Sequence, residues 1–422
     1  MKIKLFLLLG IYSAILQAQK TDSPKVNYSN FKCYDVKYRA LTLDFSGNLD
    51  ANSNSKIYGY TEGMVYLAAG FNQYQNLLKK QKSINILLSD NFNFKKNRNL
   101  LLVNNSYYSN DLLISYNNLT RKYFDKNRYF EIDPGISLVE STDINYEPTR
   151  NYQYNLNVNG RIGLKYGKGR IDPISQVFSA QFIYDDLKKE GVNVDNITEN
   201  QVFDLACEMT KMQNLRFLDS RRRIKKQLLT LNKLLNSQLN LSDEEKYITS
   251  SVLVDNWFFA GLNSRSVGKR LSIGISPFYN FSSTLKINYG VGLSAAFEQE
   301  KPINQHFQFL QNYSLGFDFK AQKSENITSL SLDPKYNAAV GIGYYPISRT
   351  SIQSYLYISN FSYYINSIIL TQISDDNIGF STRIYYFLSY NTRLYLNLNY
   401  NQSLKNNYNN LHVNLGLSHA FF

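Results

Sequence analysis

The sequence predicts an all-β transmembrane antiparallel barrel of about 14 strands, within a range of about 12 to 16, interrupted by an α-helical insert of about four helices. Three observations carry that expectation. Long segments in both halves alternate apolar and polar residues with a period of two, the repeat of a strand with one apolar and one polar face. Beyond the first residues no apolar run reaches 18, so no helix is available to span a bilayer. Between residues 168 and 266 the period becomes helical and capping residues appear. A water-soluble sandwich would share the period of two, but its strands are nearer five or six residues and its turns more frequent. The segments here are long enough to cross hydrocarbon at a tilt. Tyr 35 and Phe 26 against Trp 1 supply the aromatic girdles that such strands need.

In chain order, "MKIKLFLLLGIYSAILQAQK" sets Lys2 and Lys4 before an apolar run from Leu5 to Ile15 and a cleavage point after Ala18. That is the layout of a secretory signal peptide, residues 1–18, although Leu16 stands where a small residue is usual. Cys33 is too distant from the apolar run to be a lipoprotein cysteine. Removing Lys2 and Lys4 lowers the formal charge from +13 to +11, and an exported protein of that charge does not meet nucleic acid. Residues 19–37 then form an N-terminal periplasmic segment. Cys33 and Cys207 would mature in an oxidising compartment, but so distant a pair leaves a bridge and two free thiols both open.

The first part of the barrel covers residues 38–167, with strands beginning near 38, 57, 82, 98, 128 and 151. The stretch "NLLLVNNSYYSNDLLISYNNL" reads as one long strand or as a hairpin of two. One strand gives six crossings and returns the chain to the periplasm; two give seven and put the helices outside the cell. We adopt six. "GKGR", Gly167 to Arg170, reads as a turn at a strand end and lacks the lysine and hydroxyl pattern of a phosphate loop.

The insert, residues 168–266, opens with Asp172 as N-cap and Pro173 at the first helical position, and Gly191 stands where a helix ends. Ile174, Val177, Phe178, Ile183 and Leu187 fall at helical spacing. Thr198 with Gln201 forms a capping box for a second helix striped by Val202, Leu205, Met209 and Met212. In "LDSRRRIKKQLLTLNKLLNSQ", Ile224, Leu228, Leu231 and Leu235 mark one side of a third helix, and Asp219 is spaced to pair with Arg223. Arg222, Arg223, Lys225 and Lys226 fill the other sides, either as a plain solvated face or as a face for an anionic partner: lipid headgroups or cell-wall polymer. Ser242 with Glu245 caps a fourth helix.

The second part of the barrel, residues 267–422, holds about eight strands. "LKINYGVGLSAAF" alternates Leu285, Ile287, Tyr289, Val291, Leu293 and Ala295 with Lys286, Asn288, Gly290, Gly292 and Ser294. "RLYLNLNY" and "GFSTRIYYFLSY" continue the pattern. The chain closes on "LHVNLGLSHAFF", an amphipathic strand ending in Phe421 and Phe422.

A signal peptide, amphipathic strands and an aromatic terminus together resemble the outer-membrane β-barrel proteins of Gram-negative bacteria. The richness in Asn, Lys, Tyr and Ile is similar to that of many uncharacterised barrels of Bacteroidota. The resemblance implies residence in the cell outer membrane, contact with its lipids, and recognition of Phe421 and Phe422 by the barrel-assembly machinery. One departure is that strict alternation puts Phe421 and His419, not Phe422, on the face of Leu411 to Leu417.

Chemistry has little to work with. The histidines are His306, His412 and His419, and neither HExxH nor CxxC occurs. His412 and Ser418 share a face, but six residues of strand separate them by about 20 Å. No enzyme activity, cofactor or metal is expected. Two functions remain. The first is a pore for small neutral or anionic polar solutes, lined by Asn288, Ser294, Arg383, Arg393, Tyr395, Asn397 and Asn399. The second is a membrane-anchored interaction protein whose helical insert, placed in the periplasm, binds a partner, cell-wall polymer or lipid headgroups.

Overall fold

The computed structural model describes residues 26–52, 58–99, 106–125, 127–146, 150–213, 221–257, 264–283, 287–324, 327–360, 376–389, 392–403 and 409–419. The expected signal peptide, Asp219, Phe421 and Phe422 lie outside these residues. Six strands precede the insert: β1 (Val36–Asn52), β2 (Tyr58–Leu77), β3 (Lys80–Asn99), β4 (Ser106–Tyr123), β5 (Arg128–Tyr146) and β6 (Arg150–Pro173). Eight follow it: β7 (Ser266–Ser282), β8 (Ile287–Pro302), β9 (Phe307–Ser324), β10 (Ile327–Tyr344), β11 (Thr350–Ser359), β12 (Asn377–Phe387), β13 (Thr392–Ser403) and β14 (Asn409–His419). Every strand pairs with its sequence neighbours in one 14-stranded antiparallel sheet. This up-and-down meander needs only local turns, which is why period-two segments joined by short polar links can build it. The two edges, β1 and β14, come within 8 Å of each other at Cα; no ladder joins them among the described residues.

The alternation read in the sequence is the alternation of the wall. Leu271, Ile273 and Ile275 of β7, Tyr289, Val291 and Leu293 of β8, and Leu315, Phe317 and Phe319 of β9 point to one side and are exposed. Register keeps them together: Ile275 opposes Leu293, which opposes Phe317. The other side is polar and paired. Glu131, only 2% exposed, is held by Arg121 Nε at 2.5 Å and Lys165 Nζ at 2.8 Å. Arg270 pairs with Glu298, and Lys335 with Asp318.

Four helices sit between β6 and β7: α1 (Ser175–Lys189), α2 (Glu199–Gln213), α3 (Arg221–Leu239) and α4 (Asp243–Trp257). Among the described residues no helix is long and apolar enough to cross a membrane. Both capping boxes form. Thr198 Oγ1 accepts from Gln201 N while Gln201 Oε1 accepts from Thr198 N, and Ser242 and Glu245 exchange the same pair. Gly191 takes φ +87° just past α1, a conformation that suits glycine.

Three boundaries differ from the sequence reading. β3 runs to Asn99 and β4 is a single strand from Ser106, so no strand begins near 98 and six strands precede the insert. "GKGR" is not a turn but lies inside β6, where Gly169 at φ +101° opposes Arg270 and the ladder continues to Pro173 opposite Ser266. Asp172 and Pro173 therefore end β6 instead of capping α1. Asp172 is occupied elsewhere, by Arg170 and Asn76, and α1 begins at Ser175, after Ile174.

The buried apolar cluster belongs to the insert. Val202, Leu205 and Met209 of α2, Leu231 and Leu235 of α3, and Leu253 and Trp257 of α4 surround α1. Tyr28, Phe31 and Cys33 of the N-terminal segment complete it.

Candidate functional site: the capped end of the barrel wall

The tight turns β2–β3, β4–β5, β8–β9, β10–β11 and β12–β13 all lie at the end of the sheet where the insert emerges. Each carries one exposed large apolar side chain: Leu78, Phe124, Ile303, Ile347 and Leu388.

Across this end lies α1, in which every residue from Ser175 to Tyr184 is buried. A helix buried all round has neighbours on every side, and here they come from separate places on the rim. Phe182 packs on His306 in the β8–β9 turn, ring centroids 5.8 Å apart, and Asp185 Oδ2 accepts from Gln305 Nε2 at 2.6 Å. Phe178 meets Tyr28 at 4.7 Å, and Gln181 Oε1 accepts from the Tyr28 hydroxyl at 3.0 Å.

The pin of this arrangement is Arg265, just ahead of β7 and 2% exposed. Its guanidinium donates to Gln308 Oε1 at 3.1 Å, to Asn304 O at 3.1 Å, to Phe307 O at 3.4 Å and to Gln305 O. It lies over the rings of Phe178 and Tyr345, at 3.2 and 4.3 Å from their centroids. One side chain thus joins α1 to the β8–β9 and β10–β11 turns. Its backbone N–H donates to Ser175 Oγ, and its carbonyl accepts from Ile174 N, which fixes the start of α1. Burial pushes Arg265 down to about 9, partly offset by the phenols of Tyr345 and Tyr28. Burial raises Tyr28 to about 12 in turn. Nothing in the sequence singles out Arg265, Tyr28, Gln305 or Tyr345, because no motif or spacing links them.

The N-terminal segment is fastened over the helices. Phe31 packs on Phe203 at 5.4 Å, Asn30 donates to Glu199 Oε1 at 3.1 Å, and Cys33 forms a disulfide with Cys207 across a Cα separation of 5.6 Å. The question left open by the sequence is settled as a bridge.

On α3, Leu231 and Leu235 are fully buried, Leu228 is partly buried against them, and Lys225, Lys226, Leu229 and Lys233 are exposed. Arg222 and Arg223 occupy the first turn; their side chains lie outside the described residues.

The expected lumen residues share the polar face. Asn288 opposes Asn280 and Gln322; Ser294 opposes two glycines, Gly274 and Gly316; Arg383 opposes Gln353 and Asn397. Asn399 Oδ1 accepts from Ser381 Oγ at 2.6 Å, and the Arg393 guanidinium lies 5.1 Å from the centre of the Tyr385 ring. The Tyr395 ring lies over Gly416, where an added Cβ would come 2.3 Å from its hydroxyl oxygen. No group of three side chains suited to a metal occurs among the described residues.

Comparison with protein-family models and with curated proteins finds no match. Among solved structures, the chain is similar to the translocator domain of the autotransporter NalP from Neisseria meningitidis, at 6% identity and TM-score 0.31 over 93% of this chain and 90% of that one. It is similar to the β domain of the Bordetella autotransporter BrkA, at 6% identity and TM-score 0.29, covering 78% of this chain and 94% of that one. It is also similar to the alcaligin outer-membrane receptor FauA from Bordetella pertussis, at 7% identity and TM-score 0.28, over 94% of this chain and 56% of that one. Likeness at this level carries no argument about function.

Proposed function

We propose that this protein is an outer-membrane β-barrel that anchors a helical module, with the module closing one mouth of the barrel and offering a cationic face to an anionic partner. The observation that carries the reading is the complete burial of Ser175 to Tyr184 by groups drawn from the N-terminal segment, Arg265 ahead of β7, and the β8–β9 and β10–β11 turns. A helix held so, with a buried arginine beneath it, is a fixed cap and not a free lid. The wall itself supports the membrane setting. It is one layer thick, and its outward apolar face is covered by no described element, so hydrocarbon is the medium that suits it. Six strands before the insert, with the N-terminal segment at the same end, support a periplasmic cap.

A pore for small neutral or anionic solutes is the second reading. Arg383 and Arg393 among Asn397 and Asn399 favour it, since they give the polar face of β12 and β13 a cationic bias.

Planar-bilayer conductance separates the two. Wild-type protein should pass little current. A variant lacking residues 175–263, with β6 joined to β7 by a short turn where Pro173 already opposes Ser266, should conduct. Steady wild-type current would overturn the cap and favour the pore.

A further inference from the structure

Six lysines near the capped end occupy outward positions on the wall. Lys80 and Lys82 precede Ile84 on the outward side of β3, Lys122 opposes Phe130, Lys168 follows Tyr166, Lys269 precedes Leu271, and Lys301 opposes Phe309. Inward cations on the same strands are matched by acids: Arg121 and Lys165 by Glu131, Arg270 by Glu298. The outward six have no ion-pair partner among the described residues. Midway along β3 and β5 the outward positions carry acids instead, Asp90 and Glu140, either side of Leu112.

Lys80 and Lys122 oppose each other directly in the β3–β4 ladder, and Lys82 is the next outward residue. Side chains so opposed start about 5 Å apart, and like charges there destabilise the pair. An anion between them would turn that repulsion into attraction. The site opens onto the apolar face beginning at Ile84 and Ile86, and the exposed tips Leu78 and Phe124 lie just below it. A free polyanion would leave that apolar surface bare, whereas a lipid covers both.

We propose that Lys80, Lys82 and Lys122 bind the phosphate of an anionic phospholipid headgroup, its acyl chains lying along Ile84 and Phe130. The lysine stems run along apolar surface while their ammonium groups reach the phosphate. This rests on the membrane reading above and adds to it a named ligand class and a named site.

The test uses the full-length protein in detergent, titrated with phosphatidylglycerol or phosphatidylcholine and read by native mass spectrometry. Wild type should prefer phosphatidylglycerol. Lys80→Gln, Lys82→Gln and Lys122→Gln together should weaken phosphatidylglycerol binding about 100-fold and leave phosphatidylcholine unchanged, and inorganic phosphate should not displace the lipid. Replacing Arg222, Arg223, Lys225 and Lys226 by Gln should have no effect on this binding. Unchanged affinity in the triple variant, equal loss in the α3 variant, or displacement by inorganic phosphate would each overturn the site. The membrane reading is scored separately by heat-modifiable mobility of the same samples: if that holds while lipid preference is absent, the site alone fails, and if it is lost in wild type, both fall.

Discussion

Leu293 and Ser294 are neighbours in sequence and lie on opposite faces of β8, so arginine at each should have opposite consequences. β8 has 16 residues, which at about 3.3 Å each and a tilt of about 40° span roughly 40 Å of height. Leu293 lies close to the middle of that span, 44% exposed and flanked in register by Ile275 and Phe317. An arginine there meets hydrocarbon at nearly full depth, which costs about 2 to 4 kcal/mol. That is roughly a 30- to 1,000-fold change in the folding equilibrium. Ser294 points inward between Gly274 and Gly316, on the polar face, where a guanidinium can extend into the wet interior. Ser294→Arg should therefore cost under about 0.5 kcal/mol. Equilibrium unfolding in denaturant, followed by the heat-modifiable band of protein reconstituted in vesicles, reads both. Equal losses from the two substitutions would refute the assignment of the faces and with it the membrane barrel.

Leu231→Asp places an unpaired charge at a fully buried position of α3 and should cost about 3 to 5 kcal/mol; the insert should become protease-sensitive while the wall keeps its heat-modifiable mobility. The Tyr28 phenol, pushed up to about 12 by burial, stays protonated in the folded state after the unfolded chain has begun to ionise near 10. Its contribution is whole below pH 10 and falls by about 1.4 kcal/mol per unit between pH 10 and 12, so Tyr28→Phe should flatten the alkaline melting profile of the helices. Gly416→Val drives a side chain into the Tyr395 ring and should destabilise the β13–β14 edge by about 1 to 3 kcal/mol. Adding Tyr395→Ser should restore part of that loss in a double-mutant cycle.

The wall was legible in the sequence because each strand meets two media, not distant side chains. Leu293 faces outward and Ser294 inward whatever the remaining strands contain, so period two alone sets their sides. Strand ends were less legible. Gly167 and Gly169 suggest a break, yet Gly167 stays in β6 because the Tyr129 ring needs its space, a cross-strand fit that no local pattern announces. The capping boxes at Thr198 and Ser242 were readable because both partners lie within one turn. The seat of the cap was not. Arg265, Tyr28 and Tyr345 are distant in sequence and meet around Phe178 only once strands and helices are assembled, and α1 reads as amphipathic although all its sides are covered.

The bond between Cys33 and Cys207 has a topological consequence. Cys33 stands just ahead of β1 and Cys207 lies beyond β6, so the 174-residue separation encloses the first six strands in a covalent ring. Closing a loop of that size removes about 5 kcal/mol of freedom from the unfolded chain. Opened flat, β1 and β6 would stand about 24 Å apart, five spacings of roughly 4.8 Å. The bond holds the leading edge of the sheet to the second helix of the insert, so the cap and β1 stay covalently joined even when the helices loosen. The eight strands after the insert lie outside this loop, and of these β14 comes within 8 Å of β1 at Cα.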